Sequence, residues 1–154
     1  NLALRSYMLK KAINIHMGIS PYYRGSACNF WALYDNNPHL VGATIHLLSK
    51  GLDSGKILYH VLPRVSTYYS PFDFTMQSVK SSHKSIVKRL SNGSIYKSIA
   101  SRQSSNLEVR YTKNFDFTSD IVKEFLDRNI TAEKINHLIN KKRKQAKYVE
   151  PDFY

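Results

Sequence analysis

The sequence predicts an α/β protein in which the main strands come before residue 65 and most of the helices come after it. Short apolar runs rich in β-branched residues lie in the first part of the chain, and such runs favour strands. From residue 71 onward, apolar residues recur at the spacing of a helix. The chain has 154 residues, of which 42% are hydrophobic, and this is enough apolar material for one buried core.

Three strands are predicted in the first part of the chain, at residues 12–15, 40–48 and 56–62. The first is a short apolar run interrupted by Asn14, whose amide must find partners if the strand is buried. The second and third are separated by a turn-forming cluster from Gly51 to Gly55, and Pro63 ends the third. This spacing predicts an antiparallel or sharply returning pair.

A loop and a short helix are predicted between the first two strands. Gly and Pro residues punctuate residues 18–25, which predicts a loop. Ser26 is predicted to cap a helix at residues 27–34, and Pro38 lies beyond the end of that helix.

The second part of the chain is predicted to be mostly helical, with helical spacing at residues 71–100, 119–128 and 131–144. Ser70 and Pro71 are typical of an N-cap followed by a proline at the first helical position. Asn92–Gly93 is predicted to divide the first segment into two helices, and residues 109–113 are predicted to be extended. The helical spacing of residues 71–100 places five residues on one face: Phe74, Val79, Ser82, Ile86 and Leu90.

The chain is strongly basic, with 23 Lys and Arg residues against 11 Asp and Glu residues and a formal net charge of +12. Such a charge favours polyanionic partners. Residues 12–62, however, hold three basic residues against two acidic ones, and the dense basic run at residues 141–147 lies at a helix end, where cations suit the helix dipole. No RNP, KH or zinc-knuckle pattern is present. The charge alone therefore does not predict a nucleic-acid-binding protein.

The single cysteine excludes a disulfide framework within the chain and a cysteine-rich zinc site. No run approaches the roughly 18 to 20 apolar residues that a membrane helix needs, and no secretory signal is visible. These features predict a protein of a reducing compartment, the cytoplasm, without a membrane partner.

Polar side chains of three kinds lie near the predicted strand ends. Asn14 and His16 are two residues apart in the first strand, so their side chains project to the same side. His46 lies in the second strand, and Asp53 follows in the glycine-bounded turn. An amide, an imidazole and a carboxylate can stabilise an oxyanion and move a proton in acyl transfer to an amine. Each also has a structural interpretation, as a hydrogen-bonded strand histidine or a turn aspartate.

Two stretches carry a specific order of residues. The first contains Asn14-x-His16 followed by Pro21, Arg24 and Gly25, and the second contains Gly42-x-Thr44-x-His46 followed by Asp53-x-Gly55. In this order and spacing, residues 12–62 resemble the folate-dependent formyltransferase family, which includes glycinamide ribonucleotide, methionyl-tRNA and sugar N-formyltransferases. The Ser-Leu-Leu-Pro run of many family members is replaced here by Gly18-Ile19-Ser20-Pro21, so the serine is displaced.

The resemblance implies transfer of a formyl group from 10-formyltetrahydrofolate, the donor, to a primary amine of a small molecule. It implies three catalytic residues. Asn14 and a protonated His16 face the formyl oxygen, while Asp53 keeps His16 charged and helps remove the amine proton. Residues that bind substrate or folate are implied as well: Arg24, Gly25, His46, Gly51 and Gly55. His46 also has an interpretation as a loop-positioning residue, and Gly25 and Gly55 permit tight backbone turns.

The resemblance also implies the second half of a Rossmann-like formyltransferase sheet, followed by a mostly helical C-terminal segment. Residues 1–65 are then the C-terminal half of a catalytic domain, and residues 66–154 are a helical extension or accessory segment. In the family, the first half of the sheet precedes the Asn-x-His strand, whereas thirteen residues precede Asn14 here. The chain is therefore expected to be an incomplete fragment that binds folate poorly by itself.

Other interpretations stay open at this point. One alternative is a tRNA-binding protein that resembles methionyl-tRNA formyltransferase, and another is a binding module without catalysis. His16, His46 and Asp53 form a candidate set of metal ligands, although no metal-binding spacing surrounds them. Ser20 is a candidate hydrolase nucleophile without the Gly-x-Ser-x-Gly elbow, and Cys28 is expected to be a small buried residue.

Overall fold

The computed structural model describes residue 8 and residues 12–51, 53–65 and 70–154. The described residues form six strands: β1 (Ile13–His16), β2 (Tyr23–Gly25), β3 (Ala43–Leu47), β4 (Ile57–Leu62), β5 (Arg110–Thr112) and β6 (Asp152–Phe153). Between residues 12 and 154 they also form four α-helices: α1 (Cys28–Tyr34), α2 (Pro71–Ser91), α3 (Ser119–Asp127) and α4 (Ala132–Lys142). The predicted α/β class is confirmed.

A mixed sheet with the strand order β1-β3-β4-β6 contains all three predicted strands. β1 pairs antiparallel with β3, and β3 pairs antiparallel with β4, so the predicted antiparallel return is confirmed. β6 is parallel to β4, and β2 and β5 form a separate parallel pair. The sheet therefore combines early strands with residues from the far end of the chain.

The segment after β1 is not wholly the loop that was predicted. Its last three residues form β2, because they pair in parallel with β5. The predicted cap at Ser26 is wrong, since the Ser26 N–H donates to the carbonyl of Thr112 and the Ser26 carbonyl accepts from the Thr112 hydroxyl. Ala27 precedes α1 instead, at φ 52 and without a side-chain cap. Pairing with a distant strand takes precedence over the local capping preference here.

Helix α2 begins as predicted. Ser70 Oγ accepts from the Asp73 N–H at 3.1 Å, the Asp73 carboxylate accepts from the Ser70 N–H, and Pro71 is the first helical residue. The helix ends at Ser91, and Gly93 follows at φ 72. Residues 94–97 then form a short 3-10 turn, so the predicted second helix is wrong.

The face of α2 that packs on the sheet is formed mainly by small polar residues. Its buried residues are one aromatic and four serines: Phe74, Ser78, Ser81, Ser82 and Ser85. Leu90, which was predicted on the apolar face, is 44% exposed. Ser85 Oγ donates to Asp152 Oδ2 at 2.7 Å, which ties α2 to β6. Residues after position 65 thus pack on the same sheet as residues before it, and the domain boundary at that position stays a prediction.

The buried apolar residues form two clusters. One surrounds β3 and β4 and includes Ile45 and Tyr59. The other brings Trp31 of α1 together with Phe125 of α3 and Ile135 of α4. In the described part of the chain, no helix is both long and apolar enough to span a membrane.

Buried His60 joins β4 to two other parts of the chain. Its Nε2–H donates to the carbonyl of Ser20 at 2.9 Å, and its Nδ1 accepts from the Val149 N–H at 2.9 Å, which requires a neutral ring. Burial lowers the pKa of His60 to about 4. Burial, followed by the charges of nearby basic residues, lowers the pKa of His39 to about 4 as well.

We expect the free energy of unfolding to decrease as the pH falls from 6.5 to about 4. In this window the unfolded chain binds protons at His39 and His60, whereas the native protein keeps both rings neutral. The stabilisation is fully present above the window and lost below it, at up to about 1.4 kcal/mol per pH unit for each histidine. Urea unfolding at several pH values measures the slope. His60→Gln should show a shallower slope than the exposed control His83→Gln, and equal slopes would contradict the assignment.

Candidate active site

The register of the sheet brings two of the predicted site residues together. Asn14 on β1 lies directly opposite His46 on β3. Asn14 Nδ2 is 3.1 Å from His46 Nε2. His16 follows two residues later on β1, so its side chain projects to the same face as that of Asn14.

Asp53 completes this cluster from the turn between β3 and β4. Its Oδ1 accepts from Asn14 Nδ2 at 3.2 Å and lies 3.6 Å from His46 Nε2, while its Oδ2 lies 3.3 Å from His16 Nδ1. The Asp53 backbone is in the left-handed region, at φ 46, which aspartate adopts more readily than most residues. One carboxylate therefore contacts both other residues that were predicted to be catalytic.

The proton positions on His46 follow from its partners. Its Nδ1 is 2.9 Å from the carbonyl oxygen of Leu47. Because a carbonyl oxygen can only accept, Nδ1 carries the proton, and Nε2 of the neutral ring accepts from Asn14. His46 thus orients the Asn14 amide in this structure.

His16 and Asp53 lie within ion-pair distance at the centre of the cluster. His16 Nε2 is 3.2 Å from the carbonyl oxygen of Tyr23, so this nitrogen is a donor. A hydrogen bond from His16 holds the pKa of Asp53 well below its usual range, so its carboxylate is an anion. A proton on His16 Nδ1 makes the contact with Asp53 a charge-assisted hydrogen bond, and the ring then carries a positive charge.

Gly55 allows the turn to pass very close to β3. A Cβ atom at this position would lie 1.6 Å from the carbonyl oxygen of Leu47 and 2.8 Å from His46 Nδ1. A Cβ atom at Gly51 would lie 2.5 Å from Ser54 Oγ, which can rotate away. Gly55 therefore has a steric role in the site, and binding of substrate or folate by Gly51 and Gly55 stays a prediction.

Arg24 and Gly25 lie on β2, where it meets β5. Arg24 Nη1 donates to Glu108 at 3.1 Å, and its guanidinium group lies over the ring of Tyr111. Gly25 has φ 91, and a Cβ atom there would lie 1.9 Å from the carbonyl oxygen of Thr112. Both residues help to join β2 to β5, and their predicted contact with substrate or folate stays a prediction.

A cavity of about 270 Å³ opens beside His16 and is also lined by Cys28 and, from α2, Met76. A second cavity of about 560 Å³, with mostly apolar walls, extends toward α3. Phe30 and Thr75 line both cavities. The cavity beside the imidazole therefore has an apolar cavity as its neighbour, with Phe30 and Thr75 as shared walls.

The alternative nucleophiles have surroundings that do not activate them. Burial first, and the charge of Asp53 second, raise the pKa of Cys28 to about 12, so its thiol is neutral. Ser20 Oγ is buried and has no hydrogen-bond partner among the described residues. Within residues 12–51, 53–65 and 70–154, no group of three or more His, Cys, Asp and Glu side chains is placed to hold a metal ion.

Two supports of the cluster come from outside the predicted site residues. Gln103 Nε2 donates to the carbonyl oxygens of Asp53 and Gly55. Gln103 lies in a polar stretch without any recognisable spacing, so nothing in the sequence indicated it. Thr44 Oγ1 donates to the carbonyl oxygen of Gly18 at 2.6 Å and holds the segment after β1. The sequence did indicate Thr44, because this residue belongs to the Gly42-x-Thr44-x-His46 pattern.

Comparison with known proteins gives a family match over more than half of the chain. Residues 3–90 match the family model of the formyl transferases. Over 49 residues the chain is 41% identical to methionyl-tRNA formyltransferase of Desulforamulus reducens, a match that covers 32% of this chain and 15% of that protein. Over 81 residues it is 33% identical to the mitochondrial formyltetrahydrofolate deformylase 2 of Arabidopsis thaliana, covering 53% and 24%. The chain thus spans at most about a quarter of the length of these relatives.

A solved structure shares the fold over most of the chain. The formyltransferase PseJ from Anoxybacillus kamchatkensis superposes with a TM-score of 0.57 and 22% sequence identity. The match covers 86% of this chain and 68% of that protein, whose structure contains UDP-4,6-dideoxy-4-formamido-L-AltNAc and tetrahydrofolate. At this level of identity, the likeness shows that the two proteins share the α/β fold.

Proposed function

This chain belongs to the formyl transferase family, and on that premise we propose that it transfers a formyl group from 10-formyltetrahydrofolate to a primary amine. The observation that carries the proposal is the convergence of Asn14, His16 and Asp53. The Asp53 carboxylate lies 3.2 Å from Asn14 Nδ2 and 3.3 Å from His16 Nδ1. A fixed amide donor, a charged imidazole and a carboxylate are the groups that acyl transfer to an amine uses.

Asn14 and His16 are the donors for the charge that develops on the formyl oxygen. The folate supplies the formyl group on a nitrogen atom that can leave. When the amine nitrogen attacks the formyl carbon, an electron pair moves onto the formyl oxygen, and nearby N–H groups stabilise it. Both N–H groups of Asn14 are already engaged by His46 and Asp53. Both ring nitrogens of His16 are engaged as well, by the Tyr23 carbonyl oxygen and by Asp53. The proposal therefore requires that one hydrogen bond of each residue is exchanged for one to the substrate.

Asp53 balances the charge of His16 and accepts the amine proton through a water molecule. As the new carbon–nitrogen bond forms, the amine loses one proton toward the carboxylate. As the bond between the formyl carbon and the folate nitrogen breaks, that nitrogen takes up one proton. Asp53 is ionised in this structure, and ionisation is a requirement for the first of these steps, because only an ionised carboxylate can accept the proton.

A nucleotide-linked amino sugar is the acceptor to test first. The likeness to PseJ covers most of this chain, and that structure contains a formamido sugar on UDP together with tetrahydrofolate. A larger apolar cavity shares Phe30 and Thr75 with the cavity beside His16, and it offers space for parts of an acceptor beyond its amine. Methionyl-tRNA is the alternative acceptor, since one relative is a methionyl-tRNA formyltransferase.

Hydrolysis of the formyl donor is the second candidate function. It is favoured by 33% identity over 81 residues to a formyltetrahydrofolate deformylase. Water would take the place of the amine, and the products would be formate and tetrahydrofolate. The same donors and the same carboxylate would serve this reaction, so the products distinguish the two functions.

The test is incubation of the purified chain with 10-formyltetrahydrofolate, with and without amino-sugar nucleotides or methionyl-tRNA. Mass spectrometry identifies the formylated amine, and a formate assay measures hydrolysis. Any formylated product should depend on the amine, and it should be lost in His16→Ala but kept in His83→Ala, which changes an exposed histidine on α2. Formate release without any requirement for amine supports the hydrolase. No turnover by a chain that binds 10-formyltetrahydrofolate supports the binding module without catalysis, whereas a chain that does not bind it supports the incomplete fragment.

A further inference from the structure

The side chain of Gln103 bridges the backbone on both sides of the Asp53 turn. Its Nε2 lies 2.7 Å from the carbonyl oxygen of Asp53 and 2.8 Å from that of Gly55. Because both partners are carbonyl oxygens, the bridging atom must be the NH2 group, and both of its protons are used. The amide of Gln103 is therefore fixed in orientation by its chemistry.

Backbone pairing brings Gln103 to this position. The Ile57 N–H donates to the carbonyl of Ser101, and the Ser101 N–H donates to the carbonyl of Ile57, both at 2.8 Å. This antiparallel bridge anchors the segment at the first residue of β4. Gln103 follows two residues later and thus reaches the turn that enters β4.

The Asp53 turn needs support on its backbone because its conformation is demanding. Asp53 sits at φ 46, and Gly55 passes closer to β3 than any side chain would allow. The carboxylate of Asp53 contacts Asn14 and His16 on one side, while Gln103 holds the carbonyl oxygens on the other. A small shift of this turn would move the carboxylate away from both partners.

We propose that Gln103 is a positioning residue for formyl transfer, whose amide holds the Asp53 turn so that the carboxylate faces Asn14 and His16. The expected effect of Gln103 on the rate rests on the proposed function. Its effect on the position of the Asp53 turn depends only on contacts within this chain. Gln103 lies outside the residues that the family model matches, so its contribution comes from the C-terminal part of the chain.

Three variants test whether the N–H donor of Gln103 or the shape of its side chain is what matters. Gln103→Met has similar length but no N–H donor, and Gln103→Lys keeps an N–H donor at the end of a linear chain. Ser104→Ala is the control, an exposed change at the neighbouring position. We expect Gln103→Met to lower kcat by about 10- to 100-fold, with the KM for the amine changed by less than about threefold. Gln103→Lys should recover most of the rate, and Ser104→Ala should match the wild type.

A measurement that does not depend on turnover keeps the inference separate from the proposed function. Hydrogen exchange of the Asn14 side-chain amide, followed by NMR, reports its hydrogen bond to Asp53. We expect exchange at least about tenfold faster in Gln103→Met, and unchanged in Ser104→Ala. Faster exchange without formyl transfer by the wild type would sustain the positioning role and overturn the proposed function. Unchanged exchange and kcat in Gln103→Met, with transfer by the wild type, would overturn the positioning role alone.

Discussion

Asp53→Asn is expected to lower the rate of formyl transfer by about 100- to 10,000-fold, the range that general acid–base residues supply. The carboxamide has nearly the same shape, but one of its two terminal groups is a donor and cannot accept from Asn14 or His16. The change also removes the negative charge that faces His16 at 3.3 Å. Rapid-quench measurement of a single turnover, with saturating amine and folate, gives the rate of the chemical step.

Asp127→Asn is the matched control for this change. Asp127 is exposed at the end of α3, so the same chemical substitution should leave the rate as in the wild type. The thermal midpoints of both variants show whether either change unfolds the protein. If Asp53→Asn kept more than about a tenth of the wild-type rate, Asp53 would not be the residue that moves the amine proton.

The central cluster could be anticipated from local periodicity. Alternation along a strand places Asn14 and His16 on one face, and the glycine-bounded turn places Asp53 after the second strand. The pairing of Asn14 with His46 across the two strands could not be predicted from the sequence. It depends on the register between β1 and β3, which long intervening segments leave undetermined.

Pairing between distant residues was not visible in the sequence. β2 pairs with β5, and β6 pairs with β4, across separations that no local pattern spans. The failed cap at Ser26 has the same origin, because its backbone pairs with Thr112. Gln103 reaches the Asp53 turn only because Ser101 pairs with Ile57. Residues that support the site, such as Gln103, therefore could not be predicted, because long-range pairing places them there and local sequence patterns do not reveal it.

The basic composition also proved to be partly structural. Lys142 Nζ, in the basic run near the end of α4, donates to Asn36 O at 2.9 Å and to Asn37 Oδ1 at 3.0 Å. Arg89 pairs with Asp152 at 2.8 Å and lies over the ring of Tyr59. Cations used in this way hold the C-terminal part of the chain against the rest. Only a tRNA affinity that falls steeply with salt would show that these charges also bind methionyl-tRNA, the alternative acceptor.

Gly55→Ala is expected to lower the rate of formyl transfer by about 100-fold or more, because displacement of a catalytic group by about 1 Å has an effect of that size. Its Cβ atom would overlap the carbonyl oxygen of Leu47, which accepts from His46. The turn must then move away from β3, and Asp53, two residues earlier, moves with it. The same overlap should lower the free energy of unfolding by about 2 to 3 kcal/mol, measured by urea unfolding.

Gly93→Ala separates loss of stability from loss of activity. Gly93 follows α2 at φ 72, and a Cβ atom there would meet no other atom within 4 Å. The substitution should therefore cost about 1 kcal/mol of backbone strain and leave the rate unchanged, since Gly93 contacts none of the site residues. A rate loss in Gly93→Ala as large as in Gly55→Ala would mean that the activity follows global stability. Only a loss confined to Gly55→Ala shows that the close passage of this turn against β3 places the Asp53 carboxylate.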